Sequence, residues 1–139
     1  MKLVIDTNSI ISALIKNGIS RRIILSPFIH FITPEYALQE IEKYSQLICK
    51  KAKISLGEFT IVLQLLFEQI EIIPHEEYSN SINEAKSLID DVDDVPFIAL
   101  CLASQADGIW SDDAHFKTQR KVSIYRTREL ATVFQSSFK

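Results

Sequence analysis

The stretch LVIDTN, at Leu3–Asn8, decides the fold class of this chain. Three consecutive apolar residues are typical of a strand that is buried on both faces, as in a parallel sheet covered by helices. Asp6 follows the strand directly, and the pattern after it predicts a helix over residues 8–15. A short apolar strand that leads through an acid into a helix is how a βα unit begins.

The same alternation of strands and helices continues along the chain. The predicted strands are 3–5, 28–33, 70–73, 108–110 and 122–125. The predicted helices are 8–15, 20–25, 35–48, 56–67 with Ser55 as its N-cap, 78–89, 97–104 and 128–134. Thr33 is expected to be the N-cap of the helix that begins near Pro34. Strands separated by helices indicate parallel crossovers, so we predict one three-layer α/β/α domain over residues 1–139, with a parallel sheet of about five strands.

Composition limits the classes of protein that fit this chain. The 139 residues are 47% hydrophobic and 24% charged, which is a globular balance with enough apolar material for a core. Three glycines leave no glycine-rich phosphate loop, and a net charge of −3 is not that of a strongly basic nucleic-acid binder. Neither an export signal nor an apolar run of bilayer length is present, and both cysteines fall in apolar segments, so we expect a cytoplasmic protein with no membrane partner.

Acidic residues follow two of the predicted strands. Asp6 comes after the first strand, and Asp112 and Asp113 come after the fourth, behind Ser111. Ligands of parallel α/β folds bind beyond the carboxyl ends of the strands, so these acids are candidates for a site. Asp6 and Asp94 also precede predicted helices, and a role as N-cap is an equally good explanation of each one taken singly.

Glu40 is harder to explain as a surface residue. Its helix has an inward face marked by Ala37, Ile41, Tyr44 and Ile48, and Glu40 projects from the flank of that face. A carboxylate drawn towards the interior needs a partner, because an unpaired buried charge is costly. Since this face offers no lysine or arginine at helical spacing, a metal ion shared with other carboxylates would satisfy it.

A set of four acids on four elements therefore emerges: Asp6, Glu40, Asp94 and Asp113. Because these ligands are all oxygens, the set favours Mg²⁺ or Mn²⁺ over zinc. Such ions are typical of metal-assisted hydrolysis of phosphodiester bonds.

The motifs around these acids resemble those of the PIN-domain family, which includes the VapC-like toxins of toxin–antitoxin pairs and the PilT N-terminus-like ribonucleases. The resemblance rests on Val4–Asn8, Glu40, Asp94–Leu100 and Ser111–Phe116. It implies a sheet in the order 3-2-1-4-5 and a Mg²⁺- or Mn²⁺-dependent endoribonuclease that cuts RNA. It also implies, as partners, an RNA substrate, a separately encoded antitoxin and a second copy of the chain in a homodimer.

Carried over to this sequence, the resemblance assigns roles to individual residues. It makes metal ligands of the four acids Asp6, Glu40, Asp94 and Asp113. Asn8 would orient Asp6 or a bound water, and Ser111 would place a hydroxyl near the substrate phosphate.

The register of the last motif leaves an alternative open. The family pattern has one acid after the hydroxyl residue, whereas this chain has Ser111-Asp112-Asp113. Phe116 falls at the expected offset when Asp113 is the ligand, but Asp112 remains the alternative ligand. Asp91 is expected at the surface, with a supporting role beside the ligands as the alternative.

A different class of function also fits the resemblance. A PIN-like domain that no longer cuts RNA would serve as an RNA-binding or protein-binding scaffold. Four mutually repelling acids argue against this, since a scaffold has no use for them. His30 and His115 stand alone in the sequence and are expected to be core-edge or surface residues rather than ligands.

Overall fold

The sheet confirms the predicted α/β class and strand order. The computed structural model describes residues 1–137, with side chains as far as residue 133, so residues 138 and 139 of the predicted domain lie outside the described part. Five parallel strands pair in the order β3-β2-β1-β4-β5. They are β1 (Lys2–Ile5), β2 (His30–Pro34), β3 (Ile70–Ile73), β4 (Gly108–Trp110) and β5 (Ile124–Tyr125).

Helices cover both faces of this sheet. They are α1 (Thr7–Ile15), α2 (Ile19–Ile24), α3 (Glu35–Lys43), α4 (Ser45–Ala52), α5 (Leu56–Phe67), α6 (Ile82–Leu88), α7 (Val95–Ser104) and α8 (Thr127–Ser137), with short 3-10 helices at 75–77, 79–81 and 114–118. On one face α1 packs against α2 to α5, and α2 packs against α8. On the other, α7 packs against β1, β2 and β4 and is covered by α6. Within the described residues no helix is long and apolar enough to span a membrane.

The structure corrects three local predictions. The helix predicted over 35–48 is interrupted at Tyr44, which has non-helical dihedral angles and is 43% exposed rather than inward-facing. The helix predicted over 78–89 begins only at Ile82, because Tyr78 leaves the helical conformation and is buried and residues 79–81 form a 3-10 turn. Thr33 lies in β2 and does not cap α3: its hydroxyl donates to the carbonyl oxygen of Ile5 at 2.9 Å.

β1 is the centre of the sheet and of the core. Val4 pairs with Ile32 of β2 on one side and with Ile109 of β4 on the other, and all three are buried. The order of strands along the chain reverses between β1 and β4, because the chain runs from β1 through β2 to β3 at one edge before it returns to β4. This reversal opens a crevice at the carboxyl ends of β1 and β4, where Asp6 and Ser111 begin the following loops.

Candidate functional site

A cleft of about 190 Å³ occupies that crevice, and we call it the acidic cleft. It brings together the four predicted acids, two further aspartates from the loop before α7, and a few neutral side chains. Its lining is Asp6, Thr7, Asn8, Glu40, Asp91, Asp93, Asp94, Phe97, Asp113 and Phe116. Asp112 lies outside this lining.

Asp6 serves both the local structure and the acidic cleft. One carboxylate oxygen accepts the backbone N–H of Ser9 at 2.8 Å, so Asp6 is the N-cap of α1, and the other accepts the hydroxyl of Ser111. The residue is 4% exposed. Burial raises the pKa of the carboxyl, although both hydrogen bonds oppose that rise by stabilising the charged form.

Glu40 projects from α3 towards the same point and has a partner that sequence reasoning did not identify. The hydroxyl of Thr7 donates to its carboxylate at 2.6 Å. Partial burial raises the pKa of Glu40; the Thr7 bond and Lys43 oppose that rise, and the negative charges of Asp93 and Asp6 add to it. The predicted position on the flank of the inward face is therefore confirmed, and part of the expected need for a partner is met by a hydroxyl.

Asp94 stands at the start of α7, yet its side chain does not cap the helix. The residue is 8% exposed, and its Oδ2 atom is buried without a hydrogen-bond partner among the described residues. Burial is the main cause that raises the pKa of this carboxyl to about 6, and the charges of Asp91 and Asp113 add to it. A buried carboxylate oxygen without a donor is the kind of atom that a cation would satisfy.

The loop after β4 separates the two neighbouring aspartates. Asp113 lines the acidic cleft, and its carboxylate accepts the backbone N–H of His115 at 2.9 Å. Asp112 points to α8 instead, where its two oxygens accept the backbone N–H and the hydroxyl of Thr127 at 2.8 and 2.6 Å. Ser111 is fully buried, donates to Asp6 and accepts the backbone N–H of Asp113 at 3.0 Å.

The remaining predicted residues lie at the rim. Asn8 is exposed, lines the acidic cleft and has no hydrogen bond to Asp6 among those of the described residues. Asp91 is exposed, and its carboxylate accepts the backbone N–H of Asp93 at 2.9 Å, which shapes the loop before α7. Asp93 in turn accepts the hydroxyl of Tyr36 from α3. The loop that carries Asp94 is thus tied both to itself and to the helix of Glu40.

Sequence reasoning did not place His115 beside the acids of the cleft. Its Nδ1 lies 3.5 Å from an oxygen of Asp113 and 4.0 Å from Oδ2 of Asp94, although the ring is 67% exposed. Its position two residues after Asp113 could have revealed this placement. Asp113 caps a 3-10 helix at 114–118, and this turn brings the ring of His115 back towards the carboxylate of Asp113.

Negative charge dominates the acidic cleft. Within the described residues the ion pairs of its acids are those with His115, and none of them involves lysine or arginine. The acids raise one another's pKa values. Carboxylates that repel one another, with an unpartnered buried oxygen among them, suit a divalent cation with oxygen ligands.

Comparison with known proteins agrees with this architecture. A family model described as PIN domain matches residues 4–134. A chain of the crystal structure of VapBC2 from Rickettsia felis, bound to a DNA fragment from their promoter, superposes with a TM-score of 0.67 at 18% identity, over 91% of this chain and 98% of that one. No curated protein matches the sequence. At that identity the superposition shows a shared fold.

Proposed function

Because this chain belongs to the PIN-domain family, we propose that it is a metal-dependent endoribonuclease that hydrolyses RNA phosphodiester bonds with Mg²⁺ or Mn²⁺. The observation that carries the proposal is the convergence of Asp6, Glu40, Asp94 and Asp113, from four separate elements, on one cleft without a lysine or arginine ion pair among the described residues. Such a cluster costs stability by mutual repulsion, and a catalytic cation explains why it is retained.

The four acids would hold the cation, and their neighbours keep them in place. When bound, a divalent ion in such a site supplies activation of a water and stabilisation of the charge that develops on the phosphate. Ser111 and the N–H of Ser9 fix the orientation of Asp6. Thr7 does the same for Glu40. Since the hydroxyl of Ser111 is occupied in this way, we assign it an orienting role instead of contact with the phosphate.

Basic residues that follow Asp113 in the chain would bind the RNA backbone. Lys117, Arg120 and Lys121 follow Asp113 in the chain and are exposed. Their positive charges offset the acidic total locally, which a phosphate chain requires. Asn8, on the rim, would contact the substrate or a water next to Asp6. An RNA substrate also agrees with the cytoplasmic location that we propose.

The test is cleavage of a fluorescently labelled RNA by the whole chain with EDTA, Mg²⁺ or Mn²⁺. We expect D6N and D113N to lose at least about a hundredfold in rate, whereas D112N retains activity because Asp112 binds α8 and not the acidic cleft. Loss in D112N with retention in D113N would reverse the ligand assignment. Full activity of D6N would refute the site, and RNA binding without cleavage under any metal condition would establish the scaffold function instead.

For protein partners we propose a separately encoded antitoxin and a second copy of the chain. Large apolar side chains are exposed on α4 and α5, namely Leu47, Leu56, Ile61 and Leu65. Ile61 and Leu65 are four residues apart in α5 and therefore share one helix face, and an exposed apolar face of this kind is a candidate interaction surface. Light scattering on the purified chain tests the dimer, since a monomer at micromolar concentration contradicts it. Co-expression with the product of the adjacent gene tests the antitoxin, which should bind the chain and suppress RNA cleavage.

A further inference from the structure

Three side chains that could bind a cation lie close together on the side of the acidic cleft nearest His115. We propose that Asp91, Asp94 and His115 form a mixed oxygen and nitrogen site that binds a divalent transition-metal ion, such as Mn²⁺, in preference to Mg²⁺. The site shares Asp94 with the proposed ribonuclease centre and to that extent rests on the proposed function. It adds a nitrogen ligand, and with it a metal preference, that the four acids alone do not provide.

The geometry of the group fits one ion. One ligand atom from each of the three residues lies within 4.8 Å of the other two. His115 Nδ1 and Asp94 Oδ2 are 4.0 Å apart. Ligand atoms about 2.1 Å from an octahedral ion are about 3 Å apart when adjacent and about 4 Å apart when opposite. The side chains of Asp91 and His115 are both exposed, so packing does not prevent them from adjusting to an ion.

The burial of Asp94, which also bears on the proposed ribonuclease centre, points to a ligand at this position. Oδ2 of Asp94 is buried and has no hydrogen-bond partner among the described residues, in a residue that is more than nine-tenths buried. The imidazole Nδ1 of His115 lies 4.0 Å from this oxygen, which is beyond hydrogen-bonding distance, and is closer to Asp113, at 3.5 Å. An ion pair of His115 with Asp113 alone would leave that oxygen unsatisfied, whereas a shared cation satisfies it.

The backbone on both sides holds these ligands in place. The carbonyl oxygen of Asp91 accepts the N–H of Asp94 at 3.0 Å, which closes a turn and presents both carboxylates on one side. The N–H of His115 is held by the carboxylate of Asp113 at 2.9 Å. The main chain is therefore fixed while the ring of His115, which is exposed, remains able to turn towards an ion.

The chemistry of the three ligands determines the preference for Mn²⁺ over Mg²⁺. Mg²⁺ is a hard ion that binds oxygen almost exclusively, whereas imidazole is a good ligand of transition metals. Two carboxylates with one imidazole therefore favour Mn²⁺ over Mg²⁺. Removal of the imidazole should lower the affinity for Mn²⁺ by about tenfold or more and leave the affinity for Mg²⁺ nearly unchanged.

The test uses the whole chain, freed of metal with EDTA and loaded with Mn²⁺, in pulsed electron paramagnetic resonance. A directly bound imidazole gives a ¹⁴N modulation, which we expect in the unchanged chain and not in H115Q. H75Q is the matched control, because His75 is an exposed histidine outside the acidic cleft, beside Tyr78. Titration calorimetry with Mn²⁺ and Mg²⁺ measures the preference, with D91N expected to weaken Mn²⁺ binding more than D90N does.

Each outcome decides the proposal. Bound Mn²⁺ without ¹⁴N modulation, or a modulation that persists in H115Q, overturns the nitrogen ligand and leaves the ribonuclease proposal standing. Absence of Mn²⁺ binding at millimolar concentration overturns it as well. A nitrogen-coupled ion in a chain that does not cleave RNA supports the metal site and contradicts the proposed function. Circular dichroism of H115Q confirms that the variant is folded.

Discussion

Ionisation of Asp94 should cost this protein a measurable part of its stability, and D94N should remove that cost. Its pKa is raised from 3.8 to about 6 by burial and by the charges of Asp91 and Asp113. Each pKa unit is worth about 1.4 kcal/mol, so the ionised carboxylate lowers the free energy of unfolding by about 3 kcal/mol. The residue is 8% exposed, so little of this cost is screened by solvent.

The direction in which stability changes with pH follows from the pH at which the folded and unfolded chains release the proton of Asp94. The folded chain holds the proton of Asp94 up to about pH 6, whereas the unfolded chain releases it near pH 3.8. Stability contributed by this group therefore falls as the pH rises between those values, and the full cost is present above pH 6. D94N should thus be more stable than the unchanged chain by about 3 kcal/mol at pH 8, which is about 10 °C in Tm for a chain of this length, and by almost nothing at pH 4.

Urea unfolding in EDTA measures this difference, with the fluorescence of Trp110 as the probe, because it is the single tryptophan and is fully buried. D90N is the control, since it removes a neighbouring charge that is exposed. A D94N chain that is less stable at pH 8, or a gain that is equal at pH 4 and pH 8, would refute the reasoning. Added Mn²⁺ should stabilise the unchanged chain more than D94N, because binding to the folded state adds to its stability.

Three further substitutions test how the fold supports the acidic cleft. T7V removes the donor to Glu40 and should cost about 1 kcal/mol in urea unfolding and weaken Mn²⁺ binding in calorimetry; unchanged affinity would show that the hydroxyl does not position the acid. G108A places a Cβ 2.6 Å from the carbonyl oxygen of Ser123 and should lower the free energy of unfolding by about 1–3 kcal/mol, unless β5 moves away without cost. S55A removes the side-chain cap of α5 and should cost about 1 kcal/mol in thermal unfolding, with RNA cleavage unaffected; a loss of activity would contradict a purely local role.

The central part of the site was predictable because its signals are local. Asp6 follows three apolar residues that form a strand buried on both faces. An acid directly after such a strand lies at the carboxyl ends of the parallel strands, where ligands bind. Glu40 was predictable for a similar reason, since helical spacing from Ala37 and Ile41 determines the side on which it projects. For Glu40, periodicity is sufficient because the residue lies within the regular part of the helix.

What sequence reasoning missed depends on contacts between distant segments. His115 comes near Asp94 only because the turn after β4 and the loop before α7 meet over the sheet. Asp112 and Asp113 are chemically identical neighbours, and the position of Thr127, fourteen residues beyond Asp113, decides which of them faces α8. The helix is interrupted at Tyr44 although no glycine or proline lies there, so the sequence does not indicate the interruption.

The two hydrogen bonds that hold the carboxylate of Asp6 bear on which metal ions the site would accept, because ions differ in radius. Because Ser9 holds one oxygen and Ser111 the other, the carboxylate cannot swing or offer both oxygens equally to one ion. Ca²⁺ binds at about 2.3–2.6 Å and often takes a bidentate carboxylate, whereas Mg²⁺ needs about 2.0–2.1 Å. We therefore expect the site proposed for Mg²⁺ or Mn²⁺ to bind Ca²⁺ more weakly, because a carboxylate with so little freedom suits the smaller radius.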